Sequence, residues 1–197
     1  MNVLDVLYAE KVVVVLREKD PDLVRAKARA VQDGGLRVME VTWTTPEAPA
    51  LVREFRKAGL GVIGAGTILE LPDAKKAHAA GAQFLVSPVF TKSVAAFAKA
   101  KKLPYLPGCA TAQECYTAWK AGCRPIKVFP APTLGGPEFI RRLLAPMPFL
   151  ELLPTLIKVE EIPAYLAAGA KAVGIGGAGM TDVETMAREA ARLRAVT

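Results

Sequence analysis

The feature that most constrains this chain is a recurrence, at roughly two-dozen-residue spacing, of an apolar β-branched run followed by an amphipathic stretch that stops. Helix-stopping glycines stand at Gly35, Gly59, Gly81, Gly122 and Gly169, and two more helices end without glycine near residues 102 and 146. The run Lys11-Val12-Val13-Val14-Val15-Leu16 sets the strand type. Continuous β-branched residues suit a parallel strand buried on both faces. Eight such units in 197 residues give one α/β domain over residues 1–197, a (β/α)8 TIM barrel at the small end of that fold's range. A doubly wound open sheet is the competing arrangement. Before the first strand, Val3, Leu4, Leu7 and Tyr8 share one face of a short N-terminal helix, able to plug a barrel end or dock on the body.

Local signals place the boundaries. Asp20-Pro21 opens the helix that closes at Gly34-Gly35, and Arg37 to Thr42 is the second strand. Thr45-Pro46-Glu47 offers a cap and a first-turn proline to the next helix. Strands follow at Gly61 to Ala65, Ala82 to Ser87, Pro104 to Pro107, around Lys127, at Phe149 to Leu153 and at Ala172 to Ile175. Thr111-Ala112-Gln113-Glu114 is a capping box, and Thr181-Asp182-Val183-Glu184 caps a final helix.

The formal charge of +7 raises nucleic acid as a partner, but the Lys and Arg residues are scattered over helical segments without a dense basic run. The charge reads as solvated helix faces with some attraction for anionic metabolites, and nucleic acid is not expected. Three cysteines, Cys109, Cys115 and Cys123, with one histidine form neither a disulfide framework nor a zinc site, so they read as small buried apolar residues in a reducing cytoplasm. No basic segment followed by an apolar core opens the chain, and no apolar run reaches membrane-spanning length.

In a barrel of this kind the chemistry lies at the C-terminal ends of the strands. Those ends carry Arg17, Glu40 with Thr42, Gly64-Ala65-Gly66-Thr67, Ser87-Pro88, Pro107-Gly108, Lys127, Pro154-Thr155 and Gly176-Gly177. Lys127 stands inside the apolar run Ile126-Lys127-Val128-Phe129-Pro130-Ala131. Such a lysine either snorkels to water or, held in an apolar wall, loses its proton and becomes a nucleophile for a carbonyl. Strand alternation puts Val38, Glu40 and Thr42 on one face, and if that face and the Lys127 face both point inward, carboxylate and amine converge at the barrel mouth. Glu40 then moves protons in carbinolamine formation and carbon–carbon cleavage; the plainer reading is a strand-end salt bridge. Arg17 is suited to holding a substrate carboxylate in two-point contact, or is an ordinary surface arginine. Trp43, Phe90 and Phe129 follow strand ends and either line a pocket or pack. His78 sits mid-helix among small and charged residues and reads as a surface residue.

The segment Gly174-Ile175-Gly176-Gly177-Ala178-Gly179 matches a dinucleotide fingerprint, yet too little chain follows it to supply the second strand and its acidic residue. It reads as a phosphate-binding nest of backbone N–H groups after the eighth strand, or as a tight turn.

Taken in order, Val14-Val15-Leu16-Arg17, Gly35 to Thr42, Gly64-Ala65-Gly66-Thr67, Gly81 to Pro88, Pro107-Gly108 and Lys127-Val128-Phe129-Pro130-Ala131 resemble, nearly end to end, the 2-keto-3-deoxy-6-phosphogluconate (KDPG) and 4-hydroxy-2-oxoglutarate (KHG) aldolase family. The resemblance implies a class I aldolase in which Lys127 forms the imine with a 2-oxo acid and no metal or other cofactor is needed. It implies Glu40 as general acid and base, Arg17 and Thr67 beside the pyruvyl carboxylate, Pro88 against the substrate, and a homotrimer. Many members carry an arginine at the position of Thr44; others combine threonine there with an arginine like Arg17. The family's Pro-Thr-Gly-Gly after strand seven, whose amides help bind phosphate, is here Pro154-Thr155-Leu156-Ile157, while Gly176-Gly177-Ala178 supplies the other half of the cradle. A β-branched Ile157 is not expected to take the positive φ of a glycine, so an altered cradle is expected. The resemblance thus implies KDPG cleavage to pyruvate and glyceraldehyde 3-phosphate, with unphosphorylated 4-hydroxy-2-oxo acids as the alternative. A phosphate-binding isomerase or epimerase would instead form no covalent adduct with pyruvate, and a non-catalytic sugar-acid sensor would bind without turnover.

Overall fold

The computed structural model describes residues 2–176 and Arg188. A short helix, α1 (Val3–Glu10), precedes eight strand-led units: β1 (Val12–Leu16), α2 (Pro21–Asp33), β2 (Val38–Thr42), α3 (Ala48–Ala58), β3 (Val62–Gly66), α4 (Leu71–Ala79), β4 (Leu85–Ser87), α5 (Lys92–Ala100), β5 (Tyr105–Cys109), α6 (Ala112–Lys120), β6 (Ile126–Val128), α7 (Gly136–Leu144), β7 (Leu152–Pro154), α8 (Ile162–Ala167) and β8 (Val173–Gly176). All ladders are parallel and run β7-β6-β5-β4-β3-β2-β1-β8. The two ends of that row meet through a Thr155–Gly174 bridge and a hydrogen bond from Lys171 N to Leu152 O at 2.9 Å. The sheet is therefore a nearly closed barrel, as the eightfold recurrence predicts, and not an open sheet.

Alternation divides each strand between two cores. Val12, Val14, Leu16, Met39, Val41, Ile63, Ala65, Ile126 and Val128 face outward and pack against the helices. Val13, Val38, Phe84, Val86, Leu106 and Leu153 fill the barrel interior, together with Val6 and Leu7 of α1. Helix α1 therefore plugs the N-terminal end of the barrel. Its buried Glu10 carboxylate accepts the Arg37 and Val38 N–H groups at 2.6 and 2.8 Å, and Tyr8 hydroxyl donates to the Glu151 carboxylate. The plug is thus held by bonds to the start of β2 and the residue before β7.

Several boundaries differ from the sequence expectation. Thr45 does not cap α3: Glu47 is the N-cap residue, in a left-handed conformation, and Pro49 takes the first turn. Thr45 is buried instead and its hydroxyl shares a 3.1 Å hydrogen bond with that of Thr42. Strand β7 starts at Leu152, leaving Phe149 outside it, its ring tilted against that of Trp119 with centroids 4.4 Å apart. The helix expected from Glu160 begins with a 3-10 turn, Val159–Glu161, before α8. Asp20 caps α2 and the Thr111–Glu114 box opens α6, both as expected. The final helix expected from Thr181 lies outside the described residues.

Candidate active site at the barrel mouth

Glu40 and Lys127 are the two charged side chains that the strand pattern turns inward. Their sequence neighbours Met39, Val41, Ile126 and Val128 all lie in the outer layer. Both sit near the C-terminal ends of their strands and are 3% and 9% exposed. Burial pushes the Glu40 carboxyl above the ordinary carboxylate range, while the nearby charges of Lys127 and then Arg17 pull it back down. Room for that carboxylate is made by Gly66: a Cβ built there would lie 1.6 Å from Glu40 Oε1. Sequence reading names Gly66 only as part of the Gly64-Ala65-Gly66-Thr67 strand end, and what could have revealed its role is a glycine on the inward face of the strand beside Glu40.

Arg17 leaves the end of β1 and donates to Thr44 Oγ1 at 2.7 Å and Thr67 Oγ1 at 2.9 Å. Thr44 in turn donates to Thr42 Oγ1 at 3.3 Å. Three strand ends are thereby tied by one guanidinium, and Arg17 is no isolated surface arginine. It borders a cavity of about 640 Å³ shared with Glu18, Lys19, Leu23 and Thr44. Thr67 holds a left-handed backbone at φ 59°, a conformation that costs a non-glycine residue about 1 kcal/mol and recurs at functional positions.

On the other side of Lys127, its Nζ lies 5.1 Å from the centre of the Phe129 ring. Pro88, Phe90, Gly108, Phe129 and Pro130 line a cavity of about 440 Å³ there. Gly108 admits the Pro88 backbone, whose carbonyl oxygen would lie 2.2 Å from an added Cβ. Of the three aromatics named from sequence, Phe90 and Phe129 line this cavity, and Trp43 packs against the outer core.

Thr155 is buried, and its N–H and hydroxyl donate to Val128 O at 3.1 and 3.3 Å, so its side chain serves the β6–β7 junction. The left-handed residue after it is Leu156, φ 65°, whose side chain is 57% exposed. Ile157 is 5% exposed and joins the outer core. The turn therefore keeps a left-handed residue without glycine, and the position expected to break the cradle is a packing residue. Gly176 ends β8 with no room for a side chain, since a Cβ would meet Val15 O at 2.6 Å. Gly177 and Ala178 lie outside the described residues. The cysteines are free and buried, as read from sequence, and His78 is half-buried, edge-on to Phe97 at 5.9 Å.

A buried carboxylate beside a buried amine, with a guanidinium-threonine cluster on one side and an apolar cleft on the other, is an arrangement that binds an acid and works on a carbonyl. The family model for KDPG and KHG aldolases matches residues 3–196. The chain belongs to the KDPG and KHG aldolase family. It is 36% identical over 176 residues to the 2-dehydro-3-deoxy-phosphogluconate aldolase of Treponema pallidum, covering 88% of this chain and 83% of that one. The 2-keto-3-deoxy-6-phosphogluconate aldolase of Zymomonas mobilis superposes with a TM-score of 0.90 at 30% identity, covering 100% of this chain and 98% of the other. The KDPG aldolase of Legionella pneumophila, with pyruvate captured as a covalent carbinolamine, superposes at 0.83 with 26% identity, covering 97% and 94%. Members of this family are carbon–carbon lyases, and the chain is read as one.

Proposed function

We propose that this chain is a Schiff-base aldolase that reversibly cleaves 2-dehydro-3-deoxy-6-phosphogluconate to pyruvate and glyceraldehyde 3-phosphate. The observation that carries the reading is the buried pair of Lys127 and Glu40 at the barrel mouth. The carbinolamine captured in the Legionella enzyme supports it. Lys127 Nζ adds to the C2 carbonyl, and Glu40 relays the protons that turn the carbinolamine into an iminium and water. The iminium then accepts the electron pair of the C3–C4 bond as Glu40 takes the proton of the C4 hydroxyl. The aldehyde leaves, the resulting enamine is protonated at C3, and water releases pyruvate and regenerates the amine. Arg17, with Thr44 and Thr67 aligning it, binds the 2-oxo acid carboxylate, and Pro88 and Phe129 confine the chain of the substrate. The amides around Leu156 and Gly176 to Ala178 receive the distal phosphate. The family resemblance further supports a single-domain homotrimer working in the cytoplasm on a small-molecule substrate.

Borohydride reduction in the presence of pyruvate, followed by peptide mapping, tests the chemistry. A reduced pyruvyl adduct on Lys127, absent in Lys127→Ala, is the expected result; no adduct, or one on another lysine, rejects the mechanism. The ratio of kcat/KM for KDPG and 4-hydroxy-2-oxoglutarate tests the phosphate assignment, and a ratio near one would remove it.

A further inference from the structure

The largest of the cavities described here is not at the mouth. A space of about 680 Å³ opens at the opposite, N-terminal end of the barrel, beside α1 and beneath the ends of α4, α5 and α6. That volume falls in the range of sites for metabolite-sized ligands. Its floor is apolar, with Leu4, Ala98, Leu103 and Pro104 among the lining residues. Its cationic groups are Lys99, Lys102 and Arg124, joined by His78, and no carboxylate is among its described lining residues. Glu151, bonded to Tyr8, lines a different cavity.

Cations are expected near helix C-termini, where they offset the exposed carbonyl ends. Three helix ends meet here and offset part of the charge of Lys99, Lys102 and Arg124, and Glu151, which acts with Arg124 on Tyr8, offsets part of Arg124's; Lys99 and Lys102 stand exposed at the rim. Arg124 is half-buried and held 5.5 Å from the Trp119 ring centre, which fixes its direction.

Lys102 adds a backbone feature at the same rim, one that Lys11 shares after α1 at φ 59°. Helices α2, α3, α4, α6 and α8 are each followed by a glycine in the left-handed conformation, at Gly35, Gly59, Gly81, Gly122 and Gly169. At the corresponding place after α5 stands Lys102, with φ 56°. A side chain there is strained where glycine would be free. The strain is placed at the rim of the cavity, and it presents an ammonium there.

We infer that this N-terminal cavity binds an amphipathic organic anion, with an apolar or aromatic body on the floor and a phosphate or carboxylate on Lys99, Lys102 and Arg124. The site is separate from the aldol chemistry and does not depend on the function proposed for the mouth. Adenosine monophosphate is the probe for calorimetric titration of the intact protein, with inorganic phosphate as the head group alone. AMP should bind at least tenfold more tightly than phosphate. Lys99→Gln combined with Lys102→Gly should weaken AMP at least tenfold, and Lys102→Gly alone should raise the melting temperature by about 2–4 °C through relief of strain. Arg17→Gln, at the mouth, should leave AMP binding unchanged. Weaker AMP binding in a variant at least as stable as the parent supports the site. Undetectable binding at millimolar AMP, equal binding by parent and variant, or a loss shared by Arg17→Gln overturns it.

Discussion

A carboxylate pressed into a barrel interior is held there against its own solvation. The Glu40 carboxyl lies above the ordinary range because it is buried, so the folded chain grips its proton more tightly than the unfolded chain does. The stability this contributes is fully present below the ordinary carboxylate range and is lost as pH rises through the raised value. Glu40→Gln should therefore melt higher than the parent at neutral pH, with the gap closing below about pH 4, while kcat falls about 10²–10⁴-fold. Thermal melts across pH and steady-state kinetics check both halves. Gly66→Ala makes the complementary test. Its Cβ would meet Oε1, Cδ and Cγ of the buried Glu40 at 1.6, 2.3 and 2.6 Å, so the whole side chain must shift: stability should fall by about 1–3 kcal/mol and kcat should drop about 10²-fold or more.

At the scale of elements, paired glycines on one strand do different work. Two residues before Gly66, Gly64 faces the Phe84 ring, whose nearest atom would lie 2.3 Å from an added Cβ. That ring is fully buried in the barrel interior and has nowhere to go. Gly64→Ala should cost about 1–3 kcal/mol in denaturant unfolding while leaving the Glu40 carboxylate in place, so it should change kcat far less than Gly66→Ala. In the turn after β7, Leu156→Gly should raise stability by about 1 kcal/mol, because the left-handed backbone no longer carries a side chain. Ile157→Ala, one residue on, should lose about 2–5 kcal/mol because its side chain belongs to the core. Denaturant midpoints of the two variants moving in opposite directions would confirm which residue makes the turn.

For the whole molecule, the barrel is closed twice: laterally between β7 and β8, and at its N-terminal end by α1. The plug's strongest link is Glu10, which satisfies the amides of Arg37 and Val38 and pairs with the Arg37 guanidinium at 3.4 Å. Glu10→Ala should destabilise the fold by about 3 kcal/mol by leaving buried donors unpaired. Since the plug and the mouth lie at opposite ends, KM for the 2-oxo acid should be unchanged in the folded fraction. A parallel change in KM would mean that the two ends are coupled. No helix among the described residues is long and apolar enough to cross a membrane.

The sequence by itself determined the eightfold strand–helix recurrence and put Glu40 and Lys127 near strand ends, because hydrophobic period and helix stops are local signals that survive in one dimension; barrel closure and the inward direction of the pair were decided by the fold. It also carried the family, through motifs whose order is preserved along the chain. Only the tertiary structure decided which residues meet. That Arg17 binds Thr44 and Thr67 and that Gly66 yields its space to Glu40 depend on register between strands far apart in sequence. The same holds for the left-handed residue after β7. Sequence assigns the difficulty to Ile157, but that side chain gains a buried place in the outer core, and Leu156, with its side chain in solvent, takes the strained backbone instead. Burial outweighs a conformational cost of about 1 kcal/mol, and burial is a property of the assembled fold.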